Sequence, residues 1–419
     1  MDKNILMVAW HFPPCGEVSG TLRTLSMARG LRDAGWEPLI LAPSTIAYPR
    51  RDASLLSDDE FAGRVFRSFA LDAKRHLGLF GRYPARFARP DRWASWRIGA
   101  VPRGRRLIEK FRPRAVWSTF PIATAHWIAA ELQARSGLPW IADFRDPMAY
   151  AEMPNTARDC NWQMALEARV IRQASACVFV TEGAREAYQR HYAEHRVRFE
   201  LIPNGYDENI LAARRAHELA RVQPPGGPLR LLHSGALYPE GRSPEPLFRV
   251  LSRLRAAGGA PPEGLRVTLR GVAGTPEQGA YLELRSRYGL GDWVDFAPVL
   301  PRAEALREQL EADGLLLLQG TRFNAQIPAK AYEYLGLGKP VFALVDPDGE
   351  SARLLQTEAI ATVADAGDTT SAAAQLQSFL SRARAARGQP LAPLPERHAR
   401  TEGAARLARL LEQITGGAA

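Results

Sequence analysis

The chain has few cysteines and none of the short motifs that mark the commonest catalytic sites. Its three cysteines, Cys15, Cys160 and Cys177, have no CxxC or CxxxH spacing, so neither a disulfide framework nor a structural zinc site is indicated. GxSxG, HExxH and P-loop motifs do not occur. The acidic triplet at 346–348, Asp-Pro-Asp, resembles a metal-binding DxD, but a turn after a strand explains it as well. The sequence predicts no metal site.

Long apolar runs are also missing. No stretch of about eighteen apolar residues occurs, and residues 1–10 have one lysine and no small-residue cleavage site. We therefore expect a cytoplasmic protein that does not span a membrane. With 419 residues, of which 46% are hydrophobic, the chain is long for one core, and two domains are expected.

Positive charge is concentrated in one segment. The formal net charge is +10, and residues 74–114 hold thirteen Lys and Arg against Asp91 and Glu109, a local charge of +11. Six aromatic residues are interleaved with these cations: Phe80, Tyr83, Phe87, Trp93, Trp96 and Phe111. An anionic membrane surface suits this composition, as does nucleic acid. A solvated arginine-rich face is the third interpretation.

Residues 314–345 predict a strand, a helix and a second strand in a parallel sheet. Residues 315–318 form a short apolar run typical of a buried strand, and 341–345 form another. Pro328 suits the first helical position, and Gly338 with Pro340 ends the helix.

Lys330 and Glu333 lie in the first turn of this predicted helix. In a parallel sheet, ligands bind beyond the carboxyl ends of the strands, where a helix N-terminus offers free N–H groups. A phosphate and a sugar hydroxyl would suit this pair. The alternative is a surface ion pair at i,i+3.

The same alternation continues along the chain. Further strands are predicted at residues 4–9, 37–41, 115–118, 139–142, 176–180, 199–202, 229–233, 265–270 and 293–297, whereas 44–95 is irregular and charged. PPGGP at 224–228 is typical of a linker. The expected domains are 1–223 and 224–395, each an α/β domain with a parallel sheet.

Several of these motifs resemble glycosyltransferases with the GT-B fold, particularly the family 4-like enzymes of bacterial cell-surface polysaccharides. The matching stretches are IPAKAYEYLGLGKPV at 327–341, GLPWIADFRDPM at 137–148, IPNGYD at 202–207 and FPPCG at 12–16. The resemblance covers nearly the whole chain in motif order, and 44–104 matches weakly. It implies two Rossmann-like domains whose parallel sheets face a central cleft. It also implies that the terminal helix, 396–419, packs back on the first domain.

The resemblance assigns a donor site to the second domain. Gly235, Arg242, Lys330 and Glu333 would bind the nucleotide-sugar, with Glu333 on the ribose and the two cations on the diphosphate. Val299 lies in the loop that would meet the nucleobase. There are two departures: Ala236 takes the place of an arginine, and Ala325 that of a second glutamate near the transferred sugar.

The resemblance assigns an acceptor site to the first domain. Gly16, Asp143, Arg145 and Asp146 would line the cleft, and Asp146 or Asp143 would orient the acceptor hydroxyl. From the residues alone, the charged side chains of DFRDP could instead form a structural cluster of ion pairs and caps.

The expected function is transfer of a sugar from a nucleotide-sugar to an acceptor, with retention of configuration and without metal or cofactor. Lys330, Arg242 and Asp146 are the expected catalytic residues. The acceptor is expected to be a lipid-linked or polysaccharide precursor, reached at the inner face of the plasma membrane through residues 74–114. The alternatives are a nucleotide-sugar 2-epimerase of the same fold and a basic nucleic-acid-binding protein.

Overall fold

The chain divides into two units in a computed structural model. The structure describes residues 3–16, 18–52, 60–78, 89–148, 157–220, 227–259, 261 and 264–416. One unit comprises Met1–Asn204 with Arg400–Ala419, and the other comprises Gly205–Ala399.

The first unit is built on a seven-stranded parallel sheet. Its described elements, in chain order, are β1 (Asn4–Val8), α1 (Val18–Asp33), β2 (Glu37–Pro43), a 3-10 helix (Thr45–Ala47), β3 (Val65–Ser68), α2 (Ala73–His76), α3 (Trp96–Phe111), β4 (Ala115–Thr119), α4 (Ala123–Ser136), β5 (Trp140–Arg145), α5 (Ala157–Gln173), β6 (Ala176–Phe179), α6 (Glu182–His191), β7 (Arg198–Leu201) and the terminal helix Arg400–Gly416. The strand order is β3-β2-β1-β4-β5-β6-β7.

Both faces of this sheet are buried. Side chains alternate along a strand, so Leu6 and Val8 of β1 pack under α3 and α4, while Ile5 and Met7 pack on the opposite face. The terminal helix covers that opposite face beside α1. A Cβ at Gly30 would lie 2.3 Å from the Cβ of Ala404, so glycine permits the close approach of the two helices.

The second unit repeats this design with six parallel strands. Its described elements are α7 (Glu208–Ala220), β8 (Leu229–Ser234), α8 (Glu245–Ala256), β9 (Leu265–Arg270), α9 (Gln278–Arg287), β10 (Val294–Ala297), α10 (Arg302–Glu311), β11 (Gly314–Leu318), a 3-10 helix (Thr321–Phe323), α11 (Ala329–Leu337), β12 (Val341–Val345), α12 (Glu350–Gln356), β13 (Ala361–Asp365), α13 (Thr369–Ala386) and a 3-10 helix (Glu396–His398). The terminal helix of the first unit is hereafter α14. The strand order is β10-β9-β8-β11-β12-β13.

Helices cover both faces of the second sheet as well. Leu316 and Leu318 of β11 pack on the side of α8 and α13, and Leu315 and Leu317 pack on the side of α7, α11 and α12. All strand pairs in both sheets are parallel, which confirms the predicted α/β class and doubly wound architecture.

Four details differ from the sequence expectations. The division between the units falls at 204/205 and not at 223/224, because α7 packs on α10 and α11. The region 44–95 contributes an edge strand, β3, which pairs with β2, and β13 adds an unpredicted edge strand beside β12. Pro328 precedes α11 as its N-cap, since its ψ of 144° is extended and not helical.

Among the described residues, no helix combines the length and the apolar character that crossing a membrane requires.

Candidate functional site

The carboxyl edge of the second sheet brings together four of the predicted donor-site residues. β8 leads towards β9 and β11 towards β12, so the chain leaves this pair of adjacent strands in opposite directions. Such a switch point leaves a crevice in which α/β proteins bind ligands. Gly235 and Arg242 lie in the loop after β8, and Lys330 and Glu333 lie in the first turns of α11.

Lys330 is held by a histidine at the end of β8. Its Nζ lies 3.0 Å from Nε2 of His233, whose Nδ1 lies 3.0 Å from the carbonyl oxygen of Leu316. A carbonyl oxygen can only accept, so Nδ1 carries the proton and Nε2 is left to accept from the lysine. His233 was not predicted, although its place at the last buried position of a strand was visible in the sequence.

The electrostatics of this pair follow from its burial. Burial, with the charge of Arg242 as the next cause, lowers the pKa of Lys330 to about 7, and Glu333 opposes the shift. Burial and the charge of Lys330 hold the pKa of His233 well below its usual value of 6.5. The histidine is therefore neutral near pH 7, whereas Lys330 gains or loses its proton there.

Gly235 makes room for Lys330. Its φ is 131°, a conformation that residues with a side chain rarely adopt, and a Cβ there would lie 2.8 Å from Nζ of Lys330. The sequence predicted Gly235 at the site, and the structure supplies the reason for a glycine.

Arg242 is oriented by aromatic rings and not by a carboxylate. Its Cζ lies 5.4 Å from the ring centre of Tyr238 and 5.3 Å from that of Phe323. Its Nε is buried without a hydrogen-bond partner, and no acidic side chain in the described part of the chain pairs with it. The guanidinium thus keeps the donors that bidentate phosphate binding requires.

Glu333 and Lys330 do not form the i,i+3 ion pair that was the alternative. Oε1 of Glu333 lies 3.0 Å from Nη1 of Arg302, which also contacts Asp207 through Nη2 at 3.1 Å. Asp207 caps α7 by accepting from the backbone N–H of Asn209. Arg302 therefore fixes the carboxylate of Glu333, a role that sequence reasoning missed.

The loop between β11 and α11 is held from within the second unit. Buried Gln319 donates to the carbonyl oxygens of Phe323 and Gln326, and its Oε1 accepts from Ser351 Oγ at 2.7 Å. Ala325 belongs to this loop. Neither Gln319 nor Ser351 was predicted.

Two other predicted features of this unit are clear in the structure. Val299 follows β10 and is 76% exposed, so its side chain is open to a ligand. Asp346 accepts from the N–H of Asp348 and from Nδ2 of Asn324. These hydrogen bonds are those of a turn, which was the alternative to a metal-binding DxD motif for the Asp-Pro-Asp triplet. In the described part of the chain, no three His, Cys, Asp or Glu side chains converge as a metal site would need.

In the first unit, Asp143 lies at the carboxyl edge of the sheet and forms a buried ion pair with Arg23. Its oxygens accept from Nε and Nη2 of Arg23 at 2.9 and 2.7 Å, and from Thr119 Oγ1 at 2.9 Å. Its side chain is 1% exposed. Both carboxylate oxygens of Asp143 therefore accept hydrogen bonds from within the first unit, as the alternative of a structural ion-pair cluster predicted. Asp146 is the other carboxylate that was predicted to contact an acceptor.

Arg145 and Asp146 follow at the end of β5. Arg145 has a left-handed φ of 56° and donates to the carbonyl oxygen of Phe120 at 3.4 Å. Burial raises the pKa of Asp146, while Arg145 and Arg23 act in the opposite direction. A raised pKa in a carboxyl group at a sheet edge is common in binding and catalytic sites.

Gly16 lies against the chain, in the loop after β1. Its N–H donates to the carbonyl oxygen of Arg50 at 3.0 Å, and a Cβ would lie 3.1 Å from the Cβ of Arg50. Contact with Arg50 explains this glycine without a ligand.

The basic segment 74–114 is less exposed than its composition suggests. Trp96 is buried and donates to Ser68 Oγ at 3.0 Å, Trp93 packs on Trp10, and Phe111 packs against the same core. These three aromatic residues therefore stabilise the fold, which corrects the expectation of an aromatic surface. Phe80, Arg82, Tyr83, Arg86 and Phe87 lie outside the described residues.

Two doubly wound units with a switch-point site in each sheet define the GT-B class of glycosyltransferase folds. Residues 20–205 match the family described as Glycosyl transferase 4-like domain. This match confirms the predicted resemblance to family 4-like glycosyltransferases for that part of the chain. The match favours neither the 2-epimerase nor the nucleic-acid alternative.

Solved structures agree in fold over the whole chain. Sucrose-phosphate synthase from Thermosynechococcus elongatus is 17% identical, with a TM-score of 0.67 and coverage of 99% of this chain and 100% of that one. Trehalose 6-phosphate synthase from Burkholderia multivorans is 14% identical, with a TM-score of 0.67 and full coverage of both chains, 100% each. HepE from Anabaena, in complex with UDP, is 15% identical, with a TM-score of 0.61 and coverage of 98% and 100%. No curated protein sequence matches the chain.

Proposed function

We propose that the protein transfers a sugar from a nucleoside diphosphate sugar to a lipid-linked or polysaccharide precursor, with retention of configuration and without a metal. The observation that carries this proposal is the pair of cations, Lys330 and Arg242, beside Gly235 at the start of α11. HepE, which shares the fold, has been solved with UDP and with UDP-glucose. A nucleoside diphosphate is therefore the first ligand to test.

The donor contacts follow from the site. Arg242 and Lys330 bind the diphosphate, aided by the free N–H groups at the N-terminus of α11. Glu333, fixed by Arg302, accepts from the ribose hydroxyls, and Val299 contacts the base. The positive groups also stabilise the charge that grows on the diphosphate as the bond to the sugar breaks.

Retention follows from a transfer on one face of the sugar. The bond between the anomeric carbon and the phosphate oxygen breaks, the acceptor oxygen bonds to the anomeric carbon from the same side, and the hydroxyl proton passes to the departing phosphate. Ala325 offers no nucleophile for a covalent glycosyl-enzyme intermediate. Asp146 in the first unit is the candidate for binding the acceptor hydroxyl.

The donor assignment is tested by binding and by turnover. A ligand at about 100 times its Kd should stabilise the protein by about 2.7 kcal/mol in a thermal-shift panel of nucleoside diphosphates and nucleotide-sugars. Glu333→Ala should weaken nucleoside diphosphate binding, and Lys330→Ala should lower turnover by roughly 10²-fold. Arg266→Ala, which removes an exposed cation paired with Asp295, is the matched control.

Several outcomes would contradict the proposal. Parental affinity in Glu333→Ala would remove the ribose contact. A product of inverted configuration, a sugar trapped on the protein, or loss of activity with EDTA would remove the mechanism. An epimerised nucleotide-sugar without transfer would favour the 2-epimerase, and salt-sensitive DNA retention without nucleotide binding would favour the nucleic-acid protein.

Membrane docking is a second proposal, and it concerns how the acceptor is reached. Phe69 and Ile98 are 50% and 68% exposed, and a Cβ at Gly99, the residue after Ile98, would lie 2.7 Å from the backbone N of Phe69, so the two segments are adjacent. Ile98 lies within the basic segment 74–114, and Phe69 precedes it in the chain. Such a surface would insert its apolar side chains among anionic headgroups, with about 1 kcal/mol from each basic residue near the surface.

Liposome co-sedimentation tests this docking. We expect binding to anionic vesicles and not to neutral ones, and we expect Phe69→Glu and Ile98→Glu to weaken it. Leu219→Glu is the matched control, because Leu219 is an exposed leucine of the second unit. Equal binding to both kinds of vesicle, or an equal effect of the control, would leave the segment as a solvated face.

A further inference from the structure

We propose that His233 is a positioning residue for the donor diphosphate, and that diphosphate binding loads a proton onto Lys330. This inference rests on the proposed function, because it presumes that the cations at α11 bind the donor. It assigns a role to a residue that neither the motifs nor the family match singles out. It also adds a measurable property to the site, proton uptake from the solvent.

The geometry allows His233 only one hydrogen-bonding state. Nδ1 must donate to the carbonyl oxygen of Leu316 in the adjacent strand, so Nε2 has no proton and points its lone pair at Nζ of Lys330. A protonated imidazole would instead turn an N–H towards the lysine. His233 is therefore a neutral acceptor that directs Nζ without neutralising it.

Among the residues that the structure describes, no carboxylate forms an ion pair with Lys330. The groups that face Lys330 are His233 from β8, Arg242 from the following loop and Glu333 from its own helix. Glu333 is engaged by Arg302, and the nearby hydroxyl of Tyr334 accepts from the N–H of Ser234. Without a ligand, the lysine therefore has a cation for a neighbour and a neutral ring as its hydrogen-bond partner.

Proton linkage follows from these surroundings. Burial and Arg242 lower the pKa of Lys330 to about 7, so near pH 8 the free site holds mostly the neutral amine. A bound diphosphate adds negative charge beside Nζ and raises that pKa, so one proton passes from the solvent to the amine on binding. Affinity should then be highest below about pH 7 and should fall as pH rises, by up to about tenfold per unit.

Isothermal titration calorimetry with UDP, GDP and ADP measures this uptake. Titrations near pH 8 in buffers of different ionisation enthalpy give the number of protons taken up, and the phosphate is already fully ionised there because its second pKa is about 6. We expect most of one proton for the parent. We expect none for Lys330→Met, because that side chain cannot titrate.

Two variants of His233 separate its two hydrogen bonds. The amide N–H of His233→Asn can replace Nδ1 and keep the bond to Leu316, but it leaves Lys330 without its acceptor. The amide oxygen of His233→Gln can replace Nε2 and keep the lysine contact. We expect the Asn variant to bind diphosphate about tenfold more weakly or worse, and the Gln variant to stay within about threefold of the parent.

Each outcome supports or overturns one part. Parental affinity in the Asn variant would show that His233 does not position the lysine. Parental proton uptake in Lys330→Met would place the proton elsewhere. If the Asn variant does not fold, the Gln variant decides, and a tenfold loss in it overturns the positioning role. A folded parent that binds none of the three nucleotides would overturn the proposed function itself.

Discussion

The buried ion pair between Arg23 and Asp143 allows the most direct test of how the first unit is held together. Arg23→Met removes the guanidinium and keeps much of the apolar volume of the side chain. The pair is 4% and 1% exposed, so the remaining carboxylate would be buried, with Thr119 as its one side-chain donor among the described residues. Arg23 also donates to the carbonyl oxygens of Ile202 and Pro203, and these bonds would be lost as well.

The expected cost is large because the charge left behind cannot reach water. Removing one partner of a buried pair typically costs about 3–5 kcal/mol. For a domain of this size, each kcal/mol corresponds to a Tm change of about 2–4 °C, so Tm should fall by roughly 6–20 °C. The double variant Arg23→Met with Asp143→Leu should recover much of this loss, since it leaves no unpaired charge.

Urea unfolding and thermal denaturation of the full chain measure these costs. Lys3→Met is the matched control, because its pair with Glu412 is 38% and 46% exposed and should contribute less than about 1 kcal/mol. A stability of Arg23→Met within about 1 kcal/mol of this control would contradict the expected cost of an unpaired buried charge. A double variant less stable than the single one would contradict it as well.

Two further predictions concern buried groups at other places. Burial lowers the pKa of His126 from 6.5 to about 3, so on acidification the unfolded chain takes up this proton at a higher pH than the folded chain does. Between pH 7 and pH 4.5 the free energy of unfolding should therefore fall by about 2.5 kcal/mol through this group. In His126→Phe that part of the loss should vanish, which urea midpoints at the two pH values measure against the parent. Gly235→Ala places a Cβ 2.8 Å from Nζ of Lys330, at a backbone φ of 131°. Calorimetry should therefore show that nucleoside diphosphate binds about tenfold more weakly. Gly279→Ala, where nothing lies within 4 Å of the added Cβ, should bind like the parent, and an equal loss in both variants would refute the steric explanation.

The local elements of the site could be predicted from the sequence. The run of leucines at 315–318 predicted a buried strand because it is apolar and too short for a helix, and it lies in β11. Gly338, with a φ of 71°, ends α11 as predicted. Because the predicted sheet is parallel, the carboxyl ends of its strands could be predicted as the edge where a ligand binds. Lys330 could therefore be placed at a ligand site before any contact was known, whereas Arg242 was placed there by the family resemblance.

The partners of these side chains were decided by the tertiary structure. Arg23 and Asp143 are 120 positions apart, and Lys330 and His233 are 97 apart. Strand order brings such residues together, and no periodicity in the sequence encodes strand order. Glu333 illustrates the difference: three residues from Lys330 in its own helix, it nevertheless pairs with Arg302 of α10.

The same reason explains what was placed wrongly. The boundary at 223/224 followed a run of Pro and Gly, but α7 belongs to the second unit through its packing on α10 and α11. β3 was missed because its four residues, VFRS, are only partly buried at the sheet edge and show no long apolar run. The amino-acid pattern was enough to predict most of the buried strands and the sheet edge where ligands bind. Packing between distant segments decided which side chains meet there, because burial and pairing depend on neighbours that are remote in the chain.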